Sequence, residues 1–378
     1  MEYLFAKTLY TGKKVINNAY ISIENRQITG VSLKKTGRLA GEYEVITPAF
    51  IDPHSHIGME RSGEPAREGE ANEQMESVLS LADALDSVQM DDVAIREALE
   101  QGVLYSCVVP GSGNIIGGQS AIIRHYANNT NDALVSRAGL KAAFGYNPMS
   151  TVSWKGKRPS TRMGAMAIFR SKLDEVRSKM EKYKKARGTK KSEIIFTAEE
   201  KILRDLLEGK IRLRTHVHKI DDIAALLRLV DEFKIKTTVE HAMDVHQPEI
   251  FVELKRRRIP IVYGPVDSFA YKVELKHESW HNIQHLIQSK VDFGLMTDHP
   301  VVLSRQLFMQ TKWFLRLGLT KQDAVEIVSR KNAEILGIQN MLGTIEKGKW
   351  ASLICWSGDP FDLNHYPIRI YGEGKQLI

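Results

Sequence analysis

Through the middle of the chain, short and nearly continuous apolar runs alternate with longer stretches in which apolar residues return every three or four positions. Runs at 45–51, 103–109, 140–144, 213–218, 237–241, 260–263 and 291–297 predict buried strands, because a strand covered on both faces shows no polar alternation. Between them Ile223, Leu226, Leu227, Val230 and Phe233 recur at the spacing of one helix face, and further helices are predicted near 248–257 and 279–289. Thr320 and Asp323 form a capping-box-like pair that starts a last helix, the Asp taking the place of the usual Glu. Alternation of this kind builds a parallel sheet, either closed as a (β/α)8 barrel or open and doubly wound. No Gly-x-Gly-x-x-Gly follows the first strand, and Gly111 and Gly113 lack a third glycine at the required spacing, which argues against the dinucleotide-binding open form.

The two ends of the chain read differently. Thr11-Gly12 and Asn17-Asn18 are turn signals, residues 20–23 alternate in polarity, and Gly30 closes that segment. Near the other end a turn at 343–348 leads into an apolar strand at 351–356 and a second turn at Gly358-Asp359-Pro360. Both ends are β-like, so residues 1–48 and 341–378 are predicted to pair as one small β domain beside an α/β domain at 49–340.

At 378 residues, 43% hydrophobic and 26% charged, the chain can bury a large core. Its net charge of +7 speaks for solubility more than for an anionic partner. Cys107 and Cys355, far apart in apolar segments, read as buried small hydrophobes, and the lack of any Cys-x-x-Cys excludes thiolate zinc sites. No apolar run reaches membrane-spanning length and residues 1–10 lack a signal-peptide pattern, so a cytoplasmic, non-membrane protein is expected.

Candidate chemistry gathers at the strand ends. His54 and His56 follow the first buried run. Two side chains one residue apart on a strand point the same way, so both imidazoles can grip one ion. His216 lies within 214–218, His241 closes 237–241, and Asp298 follows 291–297. In a barrel the C-terminal strand ends converge on one face, where active sites lie. His216 and His241 are 241 − 216 = 25 residues apart, near the roughly 30 residues of one strand–helix unit. Nitrogen and oxygen donors without thiolate suit Zn²⁺ first, and also Fe²⁺, Mn²⁺ or Co²⁺. Any single histidine here can also be a satisfied core residue, and Asp298 a helix cap; five at strand ends form a pattern. His281 and His285 are one helical turn apart, but Asn282 stands where a zincin needs Glu, so they predict a solvated helix face.

These motifs resemble the amidohydrolase superfamily, and most closely its imidazolonepropionase-like branch. The resemblance rests on Ile51-Asp52-Pro53-His54-Ser55-His56, the glycine-rich run 110–119, Thr297-Asp298-His299-Pro300, Asn332 to Gly337 and Gly343 to Lys349. It implies a (β/α)8 TIM-like barrel with a small β-sandwich built from both termini. It implies an enzyme that hydrolyses a C–N bond of an amide, cyclic amide or similar small molecule. A metal-activated water attacks, Asp298 serves as general base, and one or two divalent ions are bound. His54, His56, His216, His241 and Asp298 become the ligands, with His241 also a candidate to polarise the carbonyl and Lys141 a candidate carboxylated bridging ligand. Gln119, Tyr146, His218, Tyr263, Lys272 and His299 become candidate substrate contacts, with Gly117, Gly118 and Gln119 in a loop. Tyr146 departs from the relatives, which often carry Glu there. A heterocycle deaminase on the same site, or a scaffold that kept the barrel without its chemistry, are the alternative readings, and a homo-oligomer is open.

Lysine and arginine crowd 155–191, but Met163, Met166, Phe169, Leu173 and Val176 recur there at helical spacing. That predicts an amphipathic helix with a charged outer face, not a nucleic-acid groove.

Overall fold

The computed structural model describes residues 2–35 and 37–378. Four strands open the chain: β1 (Glu2–Tyr10), β2 (Val15–Glu24), β3 (Gln27–Ser32) and β4 (Arg38–Pro48). Along β4 the first seven residues are exposed or half-buried, while Val45 to Pro48 are buried. The strand thus runs from a solvent-washed edge into the interior, and after Ala49 it passes into β5 (Phe50–Ser55), whose six residues are all buried.

β5 begins a second sheet, joined by β6 (Val103–Val108), β7 (Ile116–Arg124), β8 (Leu134–Ala143), β9 (Leu213–Val217), β10 (Thr237–His241), β11 (Ile261–Tyr263) and β12 (Phe293–Leu295). These eight strands pair in chain order. The seam between β5 and β12 closes just past the strand ends, where Asp298 N–H donates to the His54 carbonyl (3.1 Å) and His56 N–H to the His299 carbonyl (3.0 Å). The Asn332 side-chain amide ties the two sides together by donating to Ile51 O (2.7 Å) and Leu295 O (2.9 Å). The result is a nearly closed barrel.

One strand departs from the expected parallel pattern: β7 runs antiparallel to both β6 and β8. Only residues 109–115 separate β6 from β7, too few for the crossover that a parallel pair requires. Gly117, Gly118 and Gln119, expected in a loop, therefore lie inside this strand. Gly118 has φ +128°, and a Cβ there would sit 2.4 Å from the Ala82 carbonyl, so the glycine permits a close backbone approach.

The chain then returns to the first sheet with β13 (Leu353–Trp356), β14 (Pro367–Gly372) and β15 (Lys375–Gln376). The pairing makes one continuous mixed sheet in the order β15-β14-β13-β4-β1-β2-β3, where a sandwich was expected. β4 is the reason: it pairs with β1 on one side and β13 on the other, welding both chain ends into a single layer.

The basic segment forms the helix Arg162–Lys185, with Ala165, Phe169, Leu173 and Val176 buried. Met163, expected on that stripe, is exposed because it lies in the first turn off the line of the other four. The Thr320–Asp323 capping box is present as predicted. No helix of the described residues is long and apolar enough to cross a membrane.

Candidate metal centre

His54 lies near the C-terminal end of β5 and His56 just beyond it, while Asp298 follows β12 across the seam. The Nε2 atoms of His54 and His56 stand 3.3 and 3.2 Å from Asp298 Oδ1. The other nitrogen of each ring is already committed: His56 Nδ1 donates to the Val109 carbonyl (2.8 Å), and His54 Nδ1 to the Glu240 carboxylate. Both histidines are thereby held with Nε2 turned to the carboxylate, the arrangement in which an outer partner fixes the tautomer of a metal ligand. Glu240 is gripped from behind by Arg214 (2.9 Å), which also donates to the Pro53 carbonyl (2.6 Å). Burial opposes ionisation of Glu240, but the Arg214 guanidinium and the ring N–H of His54 outweigh it and hold its pKa at about 2.

A second cluster adjoins the first. His216, His218 and His241 each offer a nitrogen within 4.8 Å of the others, and the His241 ring lies 4.3 Å from that of His216 and 5.1 Å from that of His54. Strand alternation would send His241 to the face opposite Glu240. Its backbone, at φ +80°, leaves strand geometry and turns the ring inward; Asp298, at φ +51°, is likewise in the left-handed region. His241 Nδ1 donates to the Gly264 carbonyl (3.0 Å) and leaves Nε2 without a partner. His216 Nδ1 and His218 Nδ1 are also buried without partners.

Glu274 explains their orientation. This fully buried carboxylate reaches His216 Nε2 at 3.3 Å and His218 Nε2 at 3.8 Å, and its other oxygen accepts the Tyr146 N–H (3.0 Å). The carboxylate missing at Tyr146 is thus supplied in space from the loop after β11. Gly145 makes room for it, since a Cβ there would meet Glu274 Oε2 at 3.0 Å and Asp222 Oδ2 at 2.9 Å, at φ +90°.

Lys141, in β8, is fully buried, and no carboxylate of the described residues lies within 4 Å of it. Its ammonium donates to the Pro110 carbonyl (3.0 Å) and the Ser112 hydroxyl (3.3 Å), and lies 3.5 Å from His54 Nε2. Burial lowers its pKa to about 8 against the pull of Glu240 and Asp298. For Asp298 the balance goes the other way: burial raises its pKa, but His241, His54 and His56 hold it well below the ordinary carboxylate range.

The remaining sequence candidates divide. Lys272 lies 4.0 Å from Glu274, and His299 is buried beside the seam with Nε2 unpaired. Tyr146 contributes a backbone N–H while its ring is partly exposed. Tyr263 packs against Phe314 of an outer helix, and Gln119 sits in mid-strand opposite Leu140, so no described contact brings either to the histidines. Arg214, Glu240 and Glu274 were missed. The first two carried a signal, being charged residues inside otherwise buried strands; Glu274, in a loop, carried none.

Buried imidazole nitrogens with no partner, converging beside an ionised carboxylate, fit a divalent ion of the zinc type. Residues 167–373, more than half of the chain, match the Amidohydrolase family. The chain belongs to the amidohydrolase family. A solved amidohydrolase from Thermotoga maritima MSB8 is 30% identical, with all of both chains aligned and a TM-score of 0.92. Amidohydrolase tasK of Hapsidospora irregularis is 24% identical over 87% of this chain, which spans about a third (36%) of that curated relative. A prolidase solved with N-methylphosphonate-L-proline shares the fold at 13% identity and TM-score 0.61, over all of this chain and 99% of that one. Amidohydrolases are a family of carbon–nitrogen hydrolases whose members generally depend on metal, and this barrel carries two histidine clusters of the kind that chemistry needs.

Proposed function

We propose that this amidohydrolase cleaves the C–N bond of an amide or cyclic amide in a small-molecule substrate, at a divalent metal centre. His54, His56 and Asp298 hold one part of it and His216 and His241 the other, with Lys141 as a further ligand between them. The observation that carries this reading is the meeting of two buried histidine clusters, one sharing Asp298, at the C-terminal ends of the barrel strands. Zn²⁺ suits the nitrogen and oxygen donors first, with Fe²⁺, Mn²⁺ and Co²⁺ as alternatives, and there is room in the donor set for one ion or two.

When bound, the ion supplies a water of lowered pKa and polarises the scissile carbonyl. The side chains do the rest. Asp298, ionised at neutral pH, accepts the proton of the attacking water and returns it to the leaving nitrogen. His54 and His56 are kept by Glu240 and the Val109 carbonyl in the tautomer that leaves the Nε2 lone pair of each for the ion. Lys141, its pKa near 8, sheds its proton readily enough for its amine to add CO₂ as a carbamate, which would place an anion between the two clusters. His218, His299 and Lys272 border the site as groups for the substrate, whose polar or anionic end Lys272 would meet. The same reading assigns residues 49–340 to the hydrolase barrel and 1–48 with 341–378 to a composite β domain.

Metal analysis of the purified protein beside His54→Ala tests this reading. Stoichiometric divalent metal in the wild type, diminished in the variant, together with amine release from an amide panel, is expected. No metal in either protein contradicts it, and ammonia released from heterocyclic amidines alone would move the reading to a deaminase.

A further inference from the structure

A third group of metal-ligating side chains lies outside the active site. Asp244 and His246 belong to the segment that follows β10, and His277 to the long loop between β11 and the helix Ile283–Ser289. Each of the three offers a ligand atom within 4.8 Å of the others. Asp244 Oδ2 stands 3.3 Å from His277 Nδ1, about the separation of two donors bonded at about 2 Å to a common tetrahedral zinc. The rings of His246 and His277 lie 4.1 Å apart. His246 Nδ1 donates to the Asp244 carbonyl (3.0 Å), which leaves Nε2, met only by the exposed Gln247 amide at 3.5 Å, as the nitrogen of that ring for an ion.

The charge balance asks for a cation here. Asp244 is only 2% exposed, yet among the described residues its one ion-pair partner is His277, with no lysine or arginine within 4 Å. A carboxylate taken out of water needs a compensating charge. A second carboxylate follows directly in sequence: Glu278 has one oxygen, Oε2, buried without a partner. His246 is half-buried and His277 exposed, so an ion has a path in from solvent.

We infer that Asp244, His246 and His277 form a separate site for a divalent transition-metal ion of the zinc class, completed by water. Such an ion clips the segment after β10 to the loop after β11. Among the described residues, those two stretches are also joined by the His277 N–H donating to Asp244 Oδ1 (2.5 Å) and by Asn282, whose amide donates to His277 O (2.8 Å) and Met243 O (3.4 Å). The clipped loop is the one that brings Glu274 to His216 and His218. The role is therefore structural and distinct from the ion that the active site takes.

The test is zinc stoichiometry of the full chain by native mass spectrometry, after metal removal and reloading with Zn²⁺. His277→Ala and Asp244→Asn are each expected to hold one ion fewer than the wild type, or to bind that ion at least tenfold more weakly, while His54→Ala keeps it. Equal ion counts and affinities in wild type, His277→Ala and Asp244→Asn overturn the inference. Should both variants misfold, wild-type crystals soaked with Co²⁺ decide: an anomalous peak within bonding distance of Asp244 and His277 supports the site, and a map without one rejects it.

Discussion

His216 Nε2 and Glu274 Oε1 lie 3.3 Å apart, both fully buried, although 58 residues separate them. The contact commits Nε2 of His216 and leaves its buried Nδ1 without a partner. It also ties the histidine at the end of β9 to the loop after β11, so the orientation of this proposed ligand depends on a segment remote in sequence. A carboxylate behind a ligating imidazole raises its basicity and holds its tautomer.

Glu274→Gln should therefore weaken metal binding about 10- to 100-fold, the usual effect of removing such a partner. The amide oxygen still accepts the Tyr146 N–H, so the thermal midpoint should stay near that of the wild type. Competition against a chromophoric chelator reads the affinity. Unchanged affinity would mean that Glu274 only fills space.

The chain Arg214–Glu240–His54 gives a prediction in which stability and metal binding separate. Arg214→Met leaves Glu240 buried without its guanidinium and should cost about 3–5 kcal/mol. The double variant Arg214→Met/Glu240→Leu removes both charges and should recover much of that stability in urea melts. Metal affinity should not recover, because His54 has lost the carboxylate that orients it. Recovery of both together would contradict the orienting role.

His125 provides a pH test away from the centre. It is fully buried beside Ser106, and burial lowers its pKa to about 4. The folded chain keeps this imidazole neutral while the unfolded chain protonates it near pH 6.5. Between pH 6.5 and 4 the unfolded state thus binds more protons, and stability falls as the pH falls. The expected contribution is about 3 kcal/mol across that window. Urea midpoints for wild type and His125→Gln, at matched metal loading, should converge at low pH. Parallel pH profiles would show that His125 is protonated in the fold.

Much of this architecture was legible because it follows from period and burial. The buried runs at 213–218, 237–241 and 260–263 became β9, β10 and β11 within a residue or two, since strands covered on both faces must be apolar throughout. The convergence of His54, His56, His216, His241 and Asp298 was legible once a barrel was assumed, because strand ends meet there. The reversal of β7 was readable in principle from the short 109–115 connection, but its glycines were read as a loop. The single mixed sheet depends on β4 pairing on both edges, a fact of partners that no local pattern carries. Glu274 was invisible for a similar reason: its loop has no period, and only the closed fold brings it to His216.

The central claim is that the two histidine clusters share one metal-binding cavity. Anomalous diffraction at the metal edge, from crystals of the full chain loaded with Zn²⁺, tests it most directly. The account predicts a peak bonded to His54, His56 and Asp298, with any second ion in this cavity bonded to His216 and His241. A map with no peak among these five residues, in crystals that bind zinc elsewhere, would contradict it.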